Sequence, residues 1–314
     1  MIKISVIVPI FNGAKYIDRC MTCLVQQSLQ ELEIIAVDDC STDNSRDILN
    51  KWQNQYPDKV KIVAADRKLG AGGARNMGLD YANGQYVGYM DCDDMIEPLM
   101  YEKLYLKAQE EDCDVVDSGY FDEANNCCIA PYNQQFAGEL DANKRKEIIC
   151  GVGYGCTKIF NREFLKNNNL KVRENVIYED LDYLVKVALC AKKVGVVNEV
   201  LYHYKNNEES SSNIEKEQKK LDDMLAVIEE LQGLQPEGTK EAIDFVILNC
   251  VVAAIGQCLF NQENPQFDLV RNLQKLKAAV SRAGIDDWKQ NVFVTERMPE
   301  ENIELIEWFE GLKV

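Results

Sequence analysis

The sequence predicts an α/β protein with a Rossmann-like, mostly parallel mixed sheet, followed by a region made only of helices. Two observations support this prediction: strand-like runs alternate with helical patterns over about the first ninety residues, and helical patterns alone follow residue 207. We therefore expect a sheet-containing domain over residues 1–207 and a helical C-terminal region over residues 208–314. The polar, serine-containing segment Glu208–Asn213 is the expected boundary.

Four apolar runs in the N-terminal part have the composition of buried strands. They are Ile4–Val8, Leu32–Val37, Val60–Ala64 and the run that begins at Tyr86. The segments between them carry apolar residues at helical spacing, as at Ile17, Cys20 and Leu24. Strands that alternate with helices in this way form a parallel, doubly wound sheet.

Beyond Pro98 the pattern predicts one more helix, to about Glu111, and further strands. The expected strands are Val115–Phe121, Val194–Val197 and Val200–Tyr204, with a polar loop over Asn125–Gly138 on the acceptor side. A helix is expected after Tyr178, where apolar residues again recur at helical spacing. The C-terminal helices are predicted near Ile214–Gln232, Thr239–Phe260, Phe267–Ala283 and Glu300–Leu312.

The composition excludes several classes of protein. A net charge of −17 argues against nucleic acid as a partner, because contacts to phosphate need an excess of lysine and arginine. The N-terminal apolar run is too short for a secretory signal, so the twelve cysteines are expected as reduced thiols. Cys20 and Cys23 lack a second pair at zinc-binding spacing. The longest apolar stretch, Val246–Phe260, is predicted to be a buried helix.

Three carboxylates, Asp91, Asp93 and Asp94, follow the fourth predicted strand directly. Ligands of open α/β sheets bind at the carboxyl ends of strands, so these acids are expected at a ligand site. Acids this close repel one another unless a cation or hydrogen-bond donors lie among them. Oxygen ligands suit Mg²⁺ or Mn²⁺, which commonly bridge carboxylates to substrate phosphates. The structural alternative is an acidic turn in which Asp94 caps the next helix.

Five motifs, taken in order and spacing, resemble the family-2 inverting glycosyltransferases with the GT-A fold, of the bacterial polysaccharide type. The motifs are Ser5–Asn12, Ile34–Asp43, Ala74–Gly78, Met90–Asp94 and Tyr178–Asp180, and the similarity covers about residues 1–205. Two positions depart from the family pattern. Phe11 stands where many relatives have tyrosine, and Cys40 replaces a common glycine.

The resemblance implies metal-dependent, inverting transfer of a sugar from a nucleotide-sugar, expected to be UDP-linked. The implied acceptor is a hydroxyl of a saccharide or lipid-linked saccharide, in cell-surface polysaccharide synthesis. The implied cofactor is Mg²⁺ or Mn²⁺ and the implied location is the cytoplasm, with peripheral contact at the inner face of the membrane left open. A non-catalytic nucleotide-sugar-binding module of the same fold is the alternative. A nucleotidyltransferase is more remote, because the sequence offers no basic triphosphate loop.

The resemblance also implies a set of donor-binding residues. The nucleotide-binding residues it implies are Pro9, Phe11, Asn12, Asp39, Arg75 and Asp91. Pro9 and Phe11 would lie against the base, and the Asp39 carboxylate would accept the N3–H of uracil. The structural alternative is that Asp38 and Asp39 cap the turn Ser41–Ser45. Arg75, just inside a helix start, is expected to contact the diphosphate or the acid cluster.

The metal and the general base are the remaining implied roles. Asp93 is expected to bind the metal directly, and Asp91 to contact ribose or metal-bound water. Asp180 is the candidate base, and Glu179 could exchange roles with it. A helix start would keep Asp180 ionised and weaken it as a base, a conflict that the sequence leaves open, as it does a simple capping role. The single histidine, His203, is expected to be structural, and Lys158 has no assigned role.

Overall fold

The computed structural model describes residues 1–207, 217–234, 238–285 and 287–313. The chain divides into two compact units. The sheet unit comprises Met1–Asp141 and Gly153–Asn207, and the helical unit comprises Ala142–Val152 together with the C-terminal residues from 208 onward. The predicted boundary segment Glu208–Asn213 and the predicted helix start at Ile214 lie outside the described residues.

The sheet unit is built on one mixed sheet whose principal strands mostly run in the same direction. In chain order the strands are β1 (Ile4–Ile10), β2 (Leu32–Asp38), β3 (Val60–Ala64), β4 (Tyr86–Tyr89), β5 (Met95–Ile96), β6 (Val115–Asp122), β7 (Cys127–Ile129), β8 (Gly138–Glu139), β9 (Lys158–Asn161) and β10 (Lys193–Tyr204). Their order across the sheet is β3-β2-β1-β4-β9-β6-β10-β5, while β7 pairs with β6 and β8 with β10. Strands β9 and β5 run against their neighbours. The predicted fold class is confirmed.

Helices connect these strands, and those of the sheet unit other than α6 (Arg162–Asn167) lie where the sequence predicts a helix. Those of the sheet unit are α1 (Ile17–Val25), α2 (Ser45–Gln55), α3 (Gly70–Tyr81), α4 (Met100–Glu111), α6 (Arg162–Asn167) and α7 (Glu179–Cys190), with 3₁₀ turns at Gln134–Phe136 and Gly155–Thr157. Helix α5 (Ala142–Cys150) belongs to the helical unit. Strands β1 and β2 are almost fully buried, which explains why their sequences are mostly apolar and do not alternate with polar residues.

The strand order reverses between β1 and β4, and this reversal defines the ligand-binding edge. From β1 the chain proceeds outward to β2 and β3, and it then returns to pair β4 with the other side of β1. Parallel sheets bind ligands in the crevice outside the carboxyl ends of strands at such a point. The residues that follow these strands, Phe11, Asp39 and Asp91, are therefore brought to one edge.

Helix α3 packs unusually close to the sheet, and this fixes where its first turn lies. A Cβ atom at Gly78 would come within 2.3 Å of the Ile7 Cγ2 atom, so a side chain there is excluded. The helix begins at Gly70, whose φ of +71° favours glycine. Arg75 consequently projects from a rigid helix whose start lies at the ligand-binding edge.

Several elements differ from the sequence prediction. Strand β10 is continuous where two strands were expected, with register irregularities on either side of Val200. The stretch expected as a polar loop, 125–138, contains β7 and a 3₁₀ turn, and the loop prediction is wrong there. Strand β9 and helix α6 were not predicted. A strand of four residues that begins with Lys158 and ends with Asn161 lacks an apolar period.

The described part of the helical unit contains no strand. Besides α5 its helices are α8 (Glu217–Gly233), α9 (Lys240–Phe260), α10 (Leu269–Ala283), α11 (Val292–Arg297) and α12 (Glu300–Gly311), with a 3₁₀ turn at Trp288–Gln290. Over the described ranges, α9 alone is long and apolar enough to cross a membrane by length and composition. The stretch Val246–Phe260 that the sequence predicts as a buried helix forms only the later part of α9. A little over half of the most apolar window of α9 is buried within the protein.

Candidate active site

The three acids after β4 have separate surroundings, and those of Asp91 are the most ordered. One carboxylate oxygen of Asp91 accepts a hydrogen bond from Arg75 Nη2 at 2.6 Å, and the other accepts one from the Tyr154 hydroxyl at 2.9 Å. Both donors come from elsewhere in the chain, on α3 and just before the 3₁₀ turn at Gly155–Thr157. A carboxylate held at both oxygens has one orientation, so Asp91 is a fixed acceptor at the end of β4.

Asp93 and Asp94 are held by the chain that follows β10. The Asn207 side-chain amide donates to the Asp93 carboxylate at 2.6 Å. Asp94 is buried and accepts from the Lys205 amide at 2.8 Å and from the Tyr202 hydroxyl. Burial, and then the neighbouring acids, raise the pKa of Asp93 above its usual range and that of Asp94 to about 8. The donors to these two carboxylates are an amide side chain, a backbone amide and a hydroxyl, all of them uncharged.

Arg75 joins the acid cluster to the start of α7. Its guanidinium contacts the carboxylates of both Asp91 and Glu179, and its side chain is only 9% exposed. An arginine can bridge two carboxylates because its planar guanidinium presents several donors in a fixed geometry. Of the two contacts expected from the sequence, the structure therefore shows the one to the acid cluster.

Asp180 lies in the first turn of α7, next to Glu179. Tyr178, the residue just before α7, has a left-handed backbone with φ of +61°, which an L side chain rarely adopts. Burial and the charge of Glu179 raise the pKa of Asp180 to about 7, although Arg75 acts to lower it. Burial therefore acts on Asp180 in the direction that favours a base, opposite to the effect expected of a helix start. A carboxylate that titrates near neutral pH is suited to general base catalysis.

Asp39, a predicted nucleotide-binding residue, has backbone partners at the start of α3. The buried Asp39 carboxylate accepts from the amides of Leu69, at 2.6 Å, and Gly70, at 2.9 Å, so it caps the start of α3. Asp38 instead accepts from the Ser41 amide at 3.1 Å and from Arg46 at 3.2 Å. The expected turn-capping role therefore applies to Asp38. Asp39 connects the end of β2 to the helix that carries Arg75.

The other predicted residues of the base pocket follow β1. Phe11 is 43% exposed, and the Lys68 ammonium lies over its ring. Asn12 has a φ of +49°, and its side-chain oxygen accepts from the Thr42 amide at 2.8 Å. Pro9 is partly exposed within β1. The turns that follow β1 and β2 are thus bonded to each other, and the exposed Phe11 ring lies beside them with the Lys68 ammonium over it.

Two residues without a firm role in the sequence analysis are held by protein partners. The His203 Nε2 atom lies 2.7 Å from a carboxylate oxygen of Glu97, and its ring packs against Phe121. Lys158 is almost fully buried and forms an ion pair with Asp117 at 3.0 Å. His203 thus has the structural environment that its position predicted.

Sequence reasoning missed Tyr154, Tyr202 and Asn207, which bond to Asp91, Asp94 and Asp93 respectively. None of them lies within sixty residues of its partner along the chain. The Gly151–Gly155 stretch, rich in glycine around one tyrosine, was the available signal for Tyr154. Nothing in the sequence near Asn207 indicated its role.

The surroundings of the acids after β4 indicate whether these acids suit a divalent metal ion. Over the residues that the structure describes, no three side chains of histidine, cysteine, aspartate or glutamate converge as an ion cage. The possible ligands are carboxylate oxygens, and burial together with the neighbouring acids raises the pKa of Asp93 and Asp94. This fits Mg²⁺ or Mn²⁺, which is commonly held by one or two carboxylates and completed by substrate phosphates and water.

Comparison with known proteins finds sequence similarity to glycosyltransferases. The chain is 32% identical over 220 residues to the glycosyltransferase GlyG of Streptococcus pneumoniae, covering 64% of this chain and 70% of that protein. It is also 32% identical over 217 residues to the cholesterol galactosyltransferase of Borreliella burgdorferi, covering 64% of this chain and 59% of the relative. The alignment thus leaves about two fifths of the second protein unmatched.

A solved structure extends the likeness to almost the whole chain. Residues 1–349 of S. aureus TarS, in complex with UDP-GlcNAc, superpose with a TM-score of 0.67 at 22% identity, covering 94% of this chain and 91% of TarS 1–349. At that identity the match shows the fold, which is GT-A. The model of glycosyl transferase family 2 matches residues 5–168, over half of the chain. The chain is therefore a member of glycosyl transferase family 2 and a glycosyltransferase.

Proposed function

We propose that this glycosyltransferase moves a sugar from a UDP-sugar to a saccharide hydroxyl with inversion at the anomeric carbon, in a metal-dependent reaction of cell-surface polysaccharide synthesis. The observation that carries the proposal is the contact of Arg75 with both Asp91 and Glu179. It joins the acid at the end of β4 to the helix turn that presents Asp180. Donor-side and acceptor-side chemistry would therefore meet at one point of the sheet edge.

The donor side is assigned from the turns after β1, β2 and β4. Phe11 would stack on the base, with Pro9 and Asn12 beside it, and Asp39 would accept the uracil N3–H while it caps α3. A carboxylate oxygen can accept more than one hydrogen bond, so the two roles of Asp39 are compatible. A UDP-sugar complex is known for the structurally similar TarS, which supports a UDP-linked donor.

Asp93 and Asp91 are the residues that would hold Mg²⁺ or Mn²⁺. Their carboxylate oxygens are hard ligands, and burial and mutual repulsion raise the pKa of Asp93. The ion, when bound, would neutralise the charge that develops on the departing diphosphate. Asn207 would release or share the Asp93 oxygen to which it now donates.

Asp180 would remove the proton from the acceptor hydroxyl, opposite the departing diphosphate. Inverting transfer needs one such base, and a pKa of about 7 allows Asp180 to be ionised and still basic at neutral pH. Glu179 is engaged by Arg75, which leaves Asp180 as the better candidate of the two. Glu179 would then act on the pKa of its neighbour.

The aromatic surroundings support a saccharide as acceptor. The ring of Tyr154 packs against those of Tyr120, Tyr202 and Tyr204, at centroid distances of 5.6–6.0 Å. Tyr120 and Tyr154 both lie within electrostatic range of Asp180. Tyr202 is fully buried, but the partly exposed rings of Tyr120, Tyr154 and Tyr204 offer apolar faces and hydroxyl groups, a combination suited to sugar rings. A relative named for transfer to cholesterol makes a sterol the competing acceptor class.

We further propose that residues 1–207 form the catalytic domain and residues 208–314 a helical C-terminal region. We place the reaction in the cytoplasm, with peripheral contact at the inner face of the membrane when the acceptor is lipid-linked. The helical unit would take part in that contact.

The proposal is tested with a panel of UDP-, GDP- and dTDP-sugars, each with Mn²⁺ or with EDTA. Thermal shift and sugar-nucleotide hydrolysis are measured for the wild type and for Asp93→Asn. We expect UDP-sugars with Mn²⁺ to raise the unfolding temperature, and EDTA or Asp93→Asn to remove most of that shift. Asp58→Asn, which alters an exposed acid just before β3, at the opposite edge of the sheet, is the matched control. Stabilisation by another nucleotide, or by UDP-sugars equally well with EDTA, would contradict the proposal.

A further inference from the structure

A buried ion pair lies beneath the candidate active site and is not used by the proposed chemistry. Lys158 Nζ is 3.0 Å from an Asp117 carboxylate oxygen, and the two side chains are only 1% and 4% exposed. The residues stand directly opposite each other on the antiparallel strands β6 and β9. Two apolar residues would pack there without the cost of removing charges from water, so we asked what the pair holds in place.

The pair fixes two segments of backbone. Asp117 accepts from the Tyr132 amide at 2.9 Å and from the Thr157 hydroxyl at 2.7 Å. Lys158 donates to the backbone carbonyl of Tyr154 at 3.0 Å. The 3₁₀ turn at Gly155–Thr157 is thereby tied to the sheet at both ends. The backbone of Tyr154 has no freedom to shift without breaking a bond to a buried charge.

The side chain of Tyr154 carries this constraint to the site. Its ring packs edge-on against Tyr202, at 6.0 Å between centroids, and Tyr204, at 5.6 Å. Its hydroxyl donates to the Asp91 oxygen that Arg75 leaves free, at 2.9 Å. A tyrosine side chain has two rotatable angles, so a fixed backbone and a packed ring fix the hydroxyl.

We propose that Tyr154 and the Asp117–Lys158 pair are positioning residues for the transfer reaction. They hold the Asp91 carboxylate in the orientation that binds the UDP–metal complex, although none of them contacts the donor. The inference rests on the proposed function in one respect, the assignment of Asp91 to the donor side. It adds three connected residues, Asp117, Lys158 and Tyr154, whose contacts within the protein determine the affinity for the donor.

The first test removes one hydroxyl. In Tyr154→Phe the ring packing is kept and the bond to Asp91 is lost, whereas Tyr105→Phe removes a hydroxyl that donates to Gln85, outside the candidate site. We expect the Kd of UDP with Mn²⁺, measured by calorimetry, to rise about tenfold in Tyr154→Phe and to stay within about twofold in Tyr105→Phe. Equal affinities in the two variants would overturn the inference.

The second test separates positioning from stability. Lys158→Met leaves the Asp117 charge buried and unpaired, so its unfolding temperature falls. The double variant Asp117→Asn/Lys158→Met removes both charges and keeps an acceptor for the Tyr132 amide, so the unfolding temperature recovers. We expect its UDP–Mn²⁺ affinity to remain about tenfold below that of the wild type, because Tyr154 has lost its anchor. If the unfolding temperature and the UDP–Mn²⁺ affinity both recover in the double variant, Asp117 and Lys158 have only a packing role.

A third measurement does not depend on UDP. Crystal structures of the wild type and Tyr154→Phe are compared at the Asp91 side chain. We expect the carboxylate to rotate or to adopt two conformers when the hydroxyl is absent. An unchanged, single conformer contradicts the positioning role. Failure of the wild type to bind UDP would instead contradict the proposed function, and the comparison of the two structures would still decide the inference.

Discussion

The Arg75 guanidinium donates to the Asp91 carboxylate at 2.6 Å and contacts the Glu179 carboxylate with its other terminal nitrogen. One buried cation therefore connects the carboxyl end of β4 with the first turn of α7, although the two segments are almost ninety residues apart. Its position depends on α3, whose start is tied to β2 by Asp39. The geometry of the site is thus set by contacts among strand ends and helix starts.

Replacing Arg75 with lysine is expected to abolish transfer while the protein still folds. An ammonium cannot bond to Asp91 and Glu179 at once, so one partly buried carboxylate loses its partner. We expect a loss of about 1–3 kcal/mol in the free energy of unfolding and a fall in kcat/KM of about 100-fold or more. Denaturant unfolding and sugar transfer are measured side by side. Arg67→Lys is the control, because its pair with Glu174 is exposed and should contribute little.

The pH dependence of transfer tests the assignment of Asp180. Its pKa is raised to about 7, and only the ionised carboxylate accepts a proton, so kcat should rise with pH and reach half its maximum near pH 7. In Glu179→Gln a neighbouring negative charge is removed, which lowers the pKa of Asp180 and moves that half-maximum to lower pH. Asp180→Asn should lose about 100-fold or more in kcat while it still binds UDP. A pH profile in Glu179→Gln that coincides with the wild type would refute this coupling.

The parallel half of the fold could be predicted from sequence because burial on both faces leaves a direct signature. Strands β1 and β2 are rich in isoleucine and valine, and β3 was predicted at its observed bounds, Val60–Ala64. Strand β9 leaves no such signature, since a lysine in its first position implies solvent exposure. Its charge is instead paired with Asp117 across the sheet. A partner forty residues away in sequence cannot be inferred from local patterns.

The same limit applies to the candidate site. Acids placed just after a strand or at a helix start, such as Asp91 and Asp180, were identifiable because element ends can be predicted. The residues that hold them, such as Tyr154, come from segments without a local pattern. The partners of Asp39 could not be predicted either, because the sequence suggested that Asp39 caps the turn that follows it. The structure shows that Asp39 caps the start of α3, about thirty residues further along the chain.

Two glycine-to-alanine changes should shift stability in opposite directions. A Cβ at Gly72 would lie 2.0 Å from the backbone carbonyl oxygen of Arg173, so the contact between α3 and that segment must open. We expect Gly72→Ala to lose about 2–3 kcal/mol in the free energy of unfolding. Gly256, exposed within α9, has no atom within 4 Å of the added methyl group, and Gly256→Ala should gain up to about 1 kcal/mol. Denaturant unfolding of both variants checks the pair, and a stable Gly72→Ala would contradict the close packing of α3.

Asp39→Asn separates recognition of the base from support of the helix. An amide offers one acceptor oxygen where the carboxylate serves the two amides of Leu69 and Gly70, so the free energy of unfolding should fall by about 1–3 kcal/mol. The amide can also donate, and N3 of cytosine is an acceptor where that of uracil is a donor. Affinity for UDP should therefore fall by a larger factor than affinity for CDP, as measured by calorimetry with Mn²⁺. Equal losses for the two nucleotides would mean that Asp39 acts only through the start of α3, because a displaced helix weakens both ligands alike.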